Sequence, residues 1–331
     1  MTLVGQTVLV TGANGFIGGA LALRLLAEGV IVRGLVRSAE KGAWIARQGA
    51  QVVVADVRDV ASLRPAVVGC AFVFDVAAAM GNSSPALSYD VNVTGTLNLA
   101  RAAHELGVQR LIHVGTIAAY GYRNGPVIAE ETPLRPRGEA YGINKALGEQ
   151  QLWEYAASVG LPVTGIRPGM VYGPRSGFWT GAMFRLVRRP PGVLIGSPTA
   201  SCPAIFIDDV VDLLVTVATH PRAAAQMFNA TPDPAPTWRE FFGAYAAMAG
   251  HHRFVRVPLP LARTLAGVGE AGLRLRGEPQ PLVDMVTAFF SDGRSYSMAK
   301  AADLLGWRPR VSLAEGMVQA EAWLRETGRL D

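Results

Sequence analysis

Tyr141 and Lys145 stand four residues apart in Tyr141-Gly142-Ile143-Asn144-Lys145. The segment around them, about Glu139–Val159, is patterned as a helix, and that spacing puts both side chains on one face. An isolated tyrosine has a pKa near 10 and is a poor acid–base catalyst at neutral pH. A neighbouring ammonium favours the phenolate and lowers that value. Such a pair can give or take the proton of an alcohol or carbonyl. Alone, the pair is a common chance match. Its meaning depends on a second motif, Thr11-Gly12-Ala13-Asn14-Gly15-Phe16-Ile17-Gly18. Glycines at 12, 15 and 18 let a backbone turn tightly and approach a pyrophosphate closely, and a helix starting there offers free N–H groups and a positive dipole end.

The elements that must position these residues alternate. Val8–Val10, Ile31–Val36, Gln51–Val54, Ala71–Val76, Leu111–Val114 and Pro162–Ile166 read as strands. Helices are expected over Phe16–Glu28, Ala39–Gln48, Ser62–Val68, Ala86–Leu106 and Glu139–Val159. Six strands separated by helices predict an α/β, Rossmann-type, doubly wound parallel sheet. The glycine turn then falls where its chemistry needs it, between the first strand and the first helix. Past Pro174 the pattern changes, with loops at Pro190-Pro191-Gly192 and Pro232–Pro236. Ile205-Phe206 reads as a strand returning to the sheet, with a helix over Asp208–Thr219 behind it. From Thr237 the chain is mainly helical. The expected division is a dinucleotide-binding domain of residues 1–176 plus about 200–235. A smaller substrate domain of about 177–199 plus 236–331 supplies a pocket wall or lid.

The Gly-x-x-Gly-x-x-Gly turn and Tyr-x-x-x-Lys resemble the short-chain dehydrogenase/reductase superfamily. His113-Val114-Gly115-Thr116-Ile117-Ala118-Ala119-Tyr120-Gly121 is similar to its strand-five segment. Arg167-Pro168-Gly169-Met170-Val171-Tyr172-Gly173-Pro174 and Leu305-Gly306-Trp307-Arg308-Pro309 look like its extended, epimerase/dehydratase-like branch. The motifs occur in family order over nearly the whole chain. The resemblance implies a nicotinamide-dependent enzyme with Thr116, Tyr141 and Lys145 as catalytic residues. Tyr141 would move the proton, Lys145 would tune it and Thr116 would hold the substrate oxygen while hydride passes to or from nicotinamide. It also implies a cofactor site of Gly12, Asn14, Gly15, Phe16, Ile17, Asp56, Val57, Ala77, Lys145, Pro168 and Val171. Asn92 matches a family segment in which it either orders the lysine side of the site or packs a helix.

NAD-preferring folds carry an acid at the end of the second strand, about 20 residues past the turn. Here Val36 is followed by Arg37, with Lys41 a turn later. A cation in place of the acid suits a 2′-phosphate, so the reading favours NADP over NAD, with a solvated strand end as the alternative.

Many extended members act on sugar nucleotides and carry polar residues that this chain lacks. Met170 stands where they have an asparagine, Cys202 where they often have an arginine, and Ile117-Ala118 where dehydratases have two acids. Met80, Met170, Phe178, Trp179, Met183 and Phe184 are instead expected near the cleft, unless they are plain core. The substrate pocket is therefore read as Met80, Met170, Phe178 and Trp179, fit for a small lipophilic or aromatic alcohol or ketone. The chain looks nearest to the hydroxysteroid dehydrogenase and dihydroflavonol reductase-like members. The rival readings are a sugar-nucleotide epimerase or reductase and a non-catalytic dinucleotide sensor.

Composition narrows the rest. Half of the 331 residues are hydrophobic and 17% are charged, which excludes a disordered chain. The two cysteines, Cys70 and Cys202, form no disulfide framework or zinc site, and no metal is expected. A net charge of +5 is spread thinly, so no nucleic-acid partner is expected. The longest apolar stretch, Ala66 to Met80, is broken by Gly69 and Asp75, so no membrane span is expected. Without a leader pattern at the N-terminus, the reading is a soluble cytoplasmic protein. A homodimer through the Ala86–Leu106 and Glu139–Val159 helices is expected from the family resemblance.

Overall fold

The buried runs of β-branched and aromatic residues line up as a seven-stranded sheet in a computed structural model that describes residues 2–80, 83–121, 125–276, 282–290 and 294–330. The strands are β1 (Thr7–Thr11), β2 (Ile31–Val36), β3 (Gln51–Val54), β4 (Phe72–Asp75), β5 (Arg110–Val114), β6 (Val163–Pro168) and β7 (Met227–Ala230). Their order is β7-β6-β5-β4-β1-β2-β3, and every pairing is parallel. The order reverses beside β1, where Val8 faces Val32 on one side and Phe72 on the other. That reversal is where an open α/β sheet places its ligands.

Helices cover both faces. One core holds Val8, Leu25, Phe74, Phe228 and the aromatic residues after Tyr172. The other holds Leu9, Val73, Leu99, Leu111 and Leu152. The helices used below are α1 (Phe16–Ala27), α2 (Ala39–Ala46), α3 (Val60–Val67), α4 (Thr96–Glu105), α5 (Ala140–Val159), α6 (Ile207–Thr219), α7 (Trp238–Met248), α8 (Leu259–Leu275) and α9 (Leu282–Phe290). Among the described residues no helix is long and apolar enough to cross a membrane.

Two expectations are corrected. Ile205-Phe206 does not return to the sheet: Ala204–Phe206 pairs with Met170–Tyr172 in a separate two-stranded ladder. The reason lies at Gly169 and Met170. Gly169 N–H still bonds Ala230 of β7 at 2.9 Å, whereas Met170 N–H bonds Pro203 at 2.8 Å, so the chain leaves the sheet there. The seventh strand is Met227–Ala230, four residues too short to stand out by pattern. The expected single helix Ala86–Leu106 is also interrupted. A helical turn at Pro85–Tyr89 passes through a π-helical turn, Asp90–Gly95, into α4. Such an inserted turn is frequent at functional sites, and here it aims Asn92 inward.

Candidate active site

The glycine turn has the geometry its sequence implies. Gly12 adopts a positive φ of 64°, and a β-carbon on Gly18 would lie 2.4 Å from the Gly12 carbonyl oxygen. Gly15 caps α1 with no side-chain bond, and the first turn holds no acid, so among the described residues no side chain caps the N–H groups of that turn. Asn14, Phe16 and Ile17 are half-buried around this opening. Thr11 Oγ1 accepts from Val76 and Ala77 N–H, both at 2.9 Å, and fixes Ala77 beside the turn. This uncapped glycine cradle fits a dinucleotide diphosphate.

At the outer ends of β2 and β3, Arg37 is exposed. Asp56 is held by Arg58 at 2.7–3.1 Å, and that bond keeps its carboxyl below the usual carboxylate range. Val57 is buried, with its carbonyl bonded by Asn98 Nδ2 at 3.1 Å. Pro168, at the end of β6, and Val171, in the middle of the strand Met170–Tyr172, are buried too.

Thr116 and Tyr141 lie side by side, with Lys145 one helical turn on from Tyr141. Thr116 follows β5 and caps a short 3₁₀ turn, accepting from Ala118 N–H at 3.2 Å. Tyr141 lies in the first turn of α5, and Lys145 one turn on, 2% exposed. The Tyr141 phenol is pushed up to about 12, by burial first. Hydrogen bonding to the Thr116 side chain opposes the rise, and the Glu139 carboxylate adds to it. This corrects the expectation that Lys145 lowers the phenol. Burial pulls the Lys145 ammonium below its usual pKa, against the charges of Asp75 and Glu149. Asn92 packs a helix against the loop after β4. Its amide bonds Ala79 N–H at 3.0 Å and Ala79 O at 2.9 Å, and its own carbonyl sits where a β-carbon on Gly148 of α5 would be.

The pocket residues divide. Met170 and Phe184 belong to the core, 5% and 1% exposed. The ladder with Ala204 turns the Met170 side chain into that core. Met80 is 55% exposed and Phe178 is 41% exposed. Phe178 and Trp179 pack edge to face at 4.8 Å, and Trp179 meets Phe289 of α9 at 5.0 Å. Five residues back along α9, roughly 8 Å, Asp284 abuts Gly138, next to the Glu139 that opens α5. So α9 spans from the approach to Tyr141 to the aromatic pair. Sequence reasoning missed Phe289, although Phe289-Phe290 is an aromatic doublet in the segment expected to form the pocket wall. It also missed Asp75 and His113, buried and paired at 2.8 Å across β4 and β5. Among the described residues, no three His, Cys, Asp or Glu side chains are grouped to hold a metal.

Residues 8–230 match the model of the NAD dependent epimerase/dehydratase family. The chain belongs to that family. It is 29% identical to the UDP-glucose 4-epimerase of Mycolicibacterium smegmatis over 96% of its own length and 98% of that protein. It is 28% identical to the 2-alkyl-3-oxoalkanoate reductase of Stenotrophomonas maltophilia, over 95% and 98%. It superposes on the Thermus thermophilus UDP-glucose 4-epimerase solved in complex with NAD, with a TM-score of 0.75, 26% identity, and coverage of 96% and 99%. Family and fold agree with the reading from sequence, and relatives of this chain include both epimerases and reductases.

Proposed function

We propose that this family member is an NADP-preferring oxidoreductase that interconverts an alcohol and a ketone or aldehyde on a small lipophilic or aromatic substrate. The observation that carries the reading is the Thr116 hydroxyl acting on the Tyr141 phenol, one helical turn from buried Lys145. A bound nicotinamide dinucleotide supplies or accepts the hydride. The turn from Gly12 to Ile17 and Ala77 would hold it, with Arg37 toward a 2′-phosphate. Tyr141, protonated at neutral pH, is in the form that donates a proton to a carbonyl oxygen, and Thr116 holds that oxygen. The aromatic cluster of Phe178, Trp179 and Phe289 supports an apolar substrate. Likeness to a reductase of alkylated oxoalkanoates supports it as well.

Sugar-nucleotide epimerisation is the second reading, favoured by the likeness to UDP-glucose 4-epimerases. Against it, Met170 is core and the Cys202 thiol is fully buried with its pKa driven up by burial, so neither offers a donor to a diphosphate. The deciding experiment offers purified protein NADPH with lipophilic ketones, and in parallel UDP-glucose with NAD. Ketone-dependent oxidation of NADPH, reduced 10²–10⁴-fold by Tyr141→Phe with cofactor affinity kept, is the expected result. Conversion of UDP-glucose without ketone reduction refutes the reading.

A further inference from the structure

A surface helix ordinarily buries its apolar stripe and turns its polar face to water. The helix α8 does not. Of its 17 residues only Ala262 is buried, and its leucine stripe points outward. Leu261, Leu265, Val268 and Leu275 are 50%, 59%, 70% and 90% exposed. At 3.6 residues per turn they fall within about 80° of arc and form a row roughly 21 Å long. The uncharged Thr264, Ala271 and Gly272 lie among them and are exposed as well. Single exposed apolar residues are ordinary, but a contiguous row marks a contact surface. The opposite side of α8 packs on α9, where β-carbons on Gly267 and Gly269 would lie 3.7 and 3.3 Å from Val283 and Leu282.

The charge around this face has one sign. The strand Phe254–Val257 leads directly into α8 and pairs with Gly192–Ile195. The Gly192 N–H bonds the Arg253 carbonyl at 2.9 Å, so the Arg188-Arg189 segment leads into the same ladder. Residues 183–200 and 249–276, which form this ladder, its approaches and α8, hold eight arginines and one acid, Glu270. All eight arginines are exposed. Of the eight, only Arg274 forms an ion pair among the described residues, with Glu270. These segments carry a net charge of +7, whereas the whole chain carries +5 and the remainder therefore −2. On α8 itself Arg263 and Arg276 flank the leucine row, and their long stems can carry the charge past it.

An apolar row edged with unpaired cations calls for an occupant that is apolar and anionic at once. A second copy packed face to face would set the same arginines against each other, and like charges there are costly. An anionic bilayer meets both needs: its headgroups take the guanidinium groups, and the leucines enter the acyl boundary. We propose that the outer face of α8 docks the protein on an anionic lipid surface. The helix is about 25 Å long and carries Arg263, Glu270 and Arg274 along its length, so it lies on that surface and does not pass through it. The docking does not rest on the oxidoreductase reading. That reading gives it a use, because α9 links α8 to the Trp179–Phe289 contact and a lipophilic substrate dissolves in the bilayer.

Cosedimentation of the full chain with vesicles tests this without cofactor or substrate. One set of vesicles mixes phosphatidylglycerol with phosphatidylcholine, and the other is phosphatidylcholine alone. The protein should bind the anionic set at least about tenfold more tightly, and high salt should weaken that binding. Leu265→Glu combined with Val268→Glu should lower the affinity by at least about tenfold, and Arg263→Gln with Arg276→Gln by about tenfold. Val318→Glu is the control. Val318 is 68% exposed on the helix Leu313–Glu326, and its change should leave binding as it was. Circular dichroism checks that each variant keeps the fold. Absence of binding to the anionic vesicles, or binding that the Leu265 and Val268 changes leave intact, overturns the proposal. So does a chain mass that those changes lower in light scattering while neither form binds vesicles, since the face then belongs to a second copy. Failure to bind alongside ketone reduction removes the docking alone. Binding alongside conversion of UDP-glucose without ketone reduction keeps the docking and removes the oxidoreductase reading.

Discussion

The Gly12 carbonyl oxygen occupies the place where a β-carbon on Gly18 would go, 2.4 Å away. Backbone lies on both sides of that approach, so neither can give way cheaply. Gly18→Ala should therefore open the turn, weaken dinucleotide binding at least tenfold and destabilise the fold by about 1–3 kcal/mol. Gly243→Ala is the control. It sits in α7 with nothing within 4 Å of the added carbon, and should stabilise by about 0.5–1 kcal/mol. Calorimetric titration with NADPH and thermal melts check both.

Arg37 is exposed at the end of β2, while Arg58 nearby is bound to Asp56. Arg37→Glu should raise the Kd for NADPH by tenfold or more and change that for NADH little. Equal changes in both would remove Arg37 from cofactor choice.

Burial and Lys145 push the His113 imidazole below its usual 6.5. As pH falls through about 6.5 the unfolded chain takes up a proton that the folded chain refuses, so stability drops. The melting temperature should decline below that pH, and His113→Gln should flatten the decline between pH 6.5 and 5. A wild-type profile that stays flat over that interval would show His113 protonating in the folded state.

Pairing of two copies through the α4 and α5 faces predicts a dimer in solution. Leu152 of α5 is wholly buried in the core, whereas Tyr89, in the helical turn before α4, and Ile143 of α5 remain 44% and 40% exposed. Light scattering at micromolar concentration should return twice the chain mass, and Ile143→Arg should halve it.

Features that depend on local pattern were legible without coordinates: the strand–glycine–helix turn, and the i, i+4 pair on α5. Features made by register across strands were not. Asp75 and His113 are 38 residues apart and meet only because β4 and β5 align. The phenol's environment was misjudged for a related reason. Spacing on a helix puts Lys145 beside Tyr141, but the charges that act on the lysine come from Asp75 on β4 and from its own helix's next turn. Met170 was assigned to the cleft by position in a motif, and the switch of hydrogen-bond partner at Gly169 turned it inward.

The late arrival of β7 bears on how the protein is made. All six residues of β6 are buried, and one of its edges is closed only by Met227–Ala230. About 60 residues separate the two strands, which is roughly 3–12 s of synthesis at ordinary rates. Until then the edge of β6 lacks its partner strand, and its backbone groups are open to another extended strand. The hazard of edge-to-edge association therefore falls before Met227–Ala230 is in place, more than in the finished sheet.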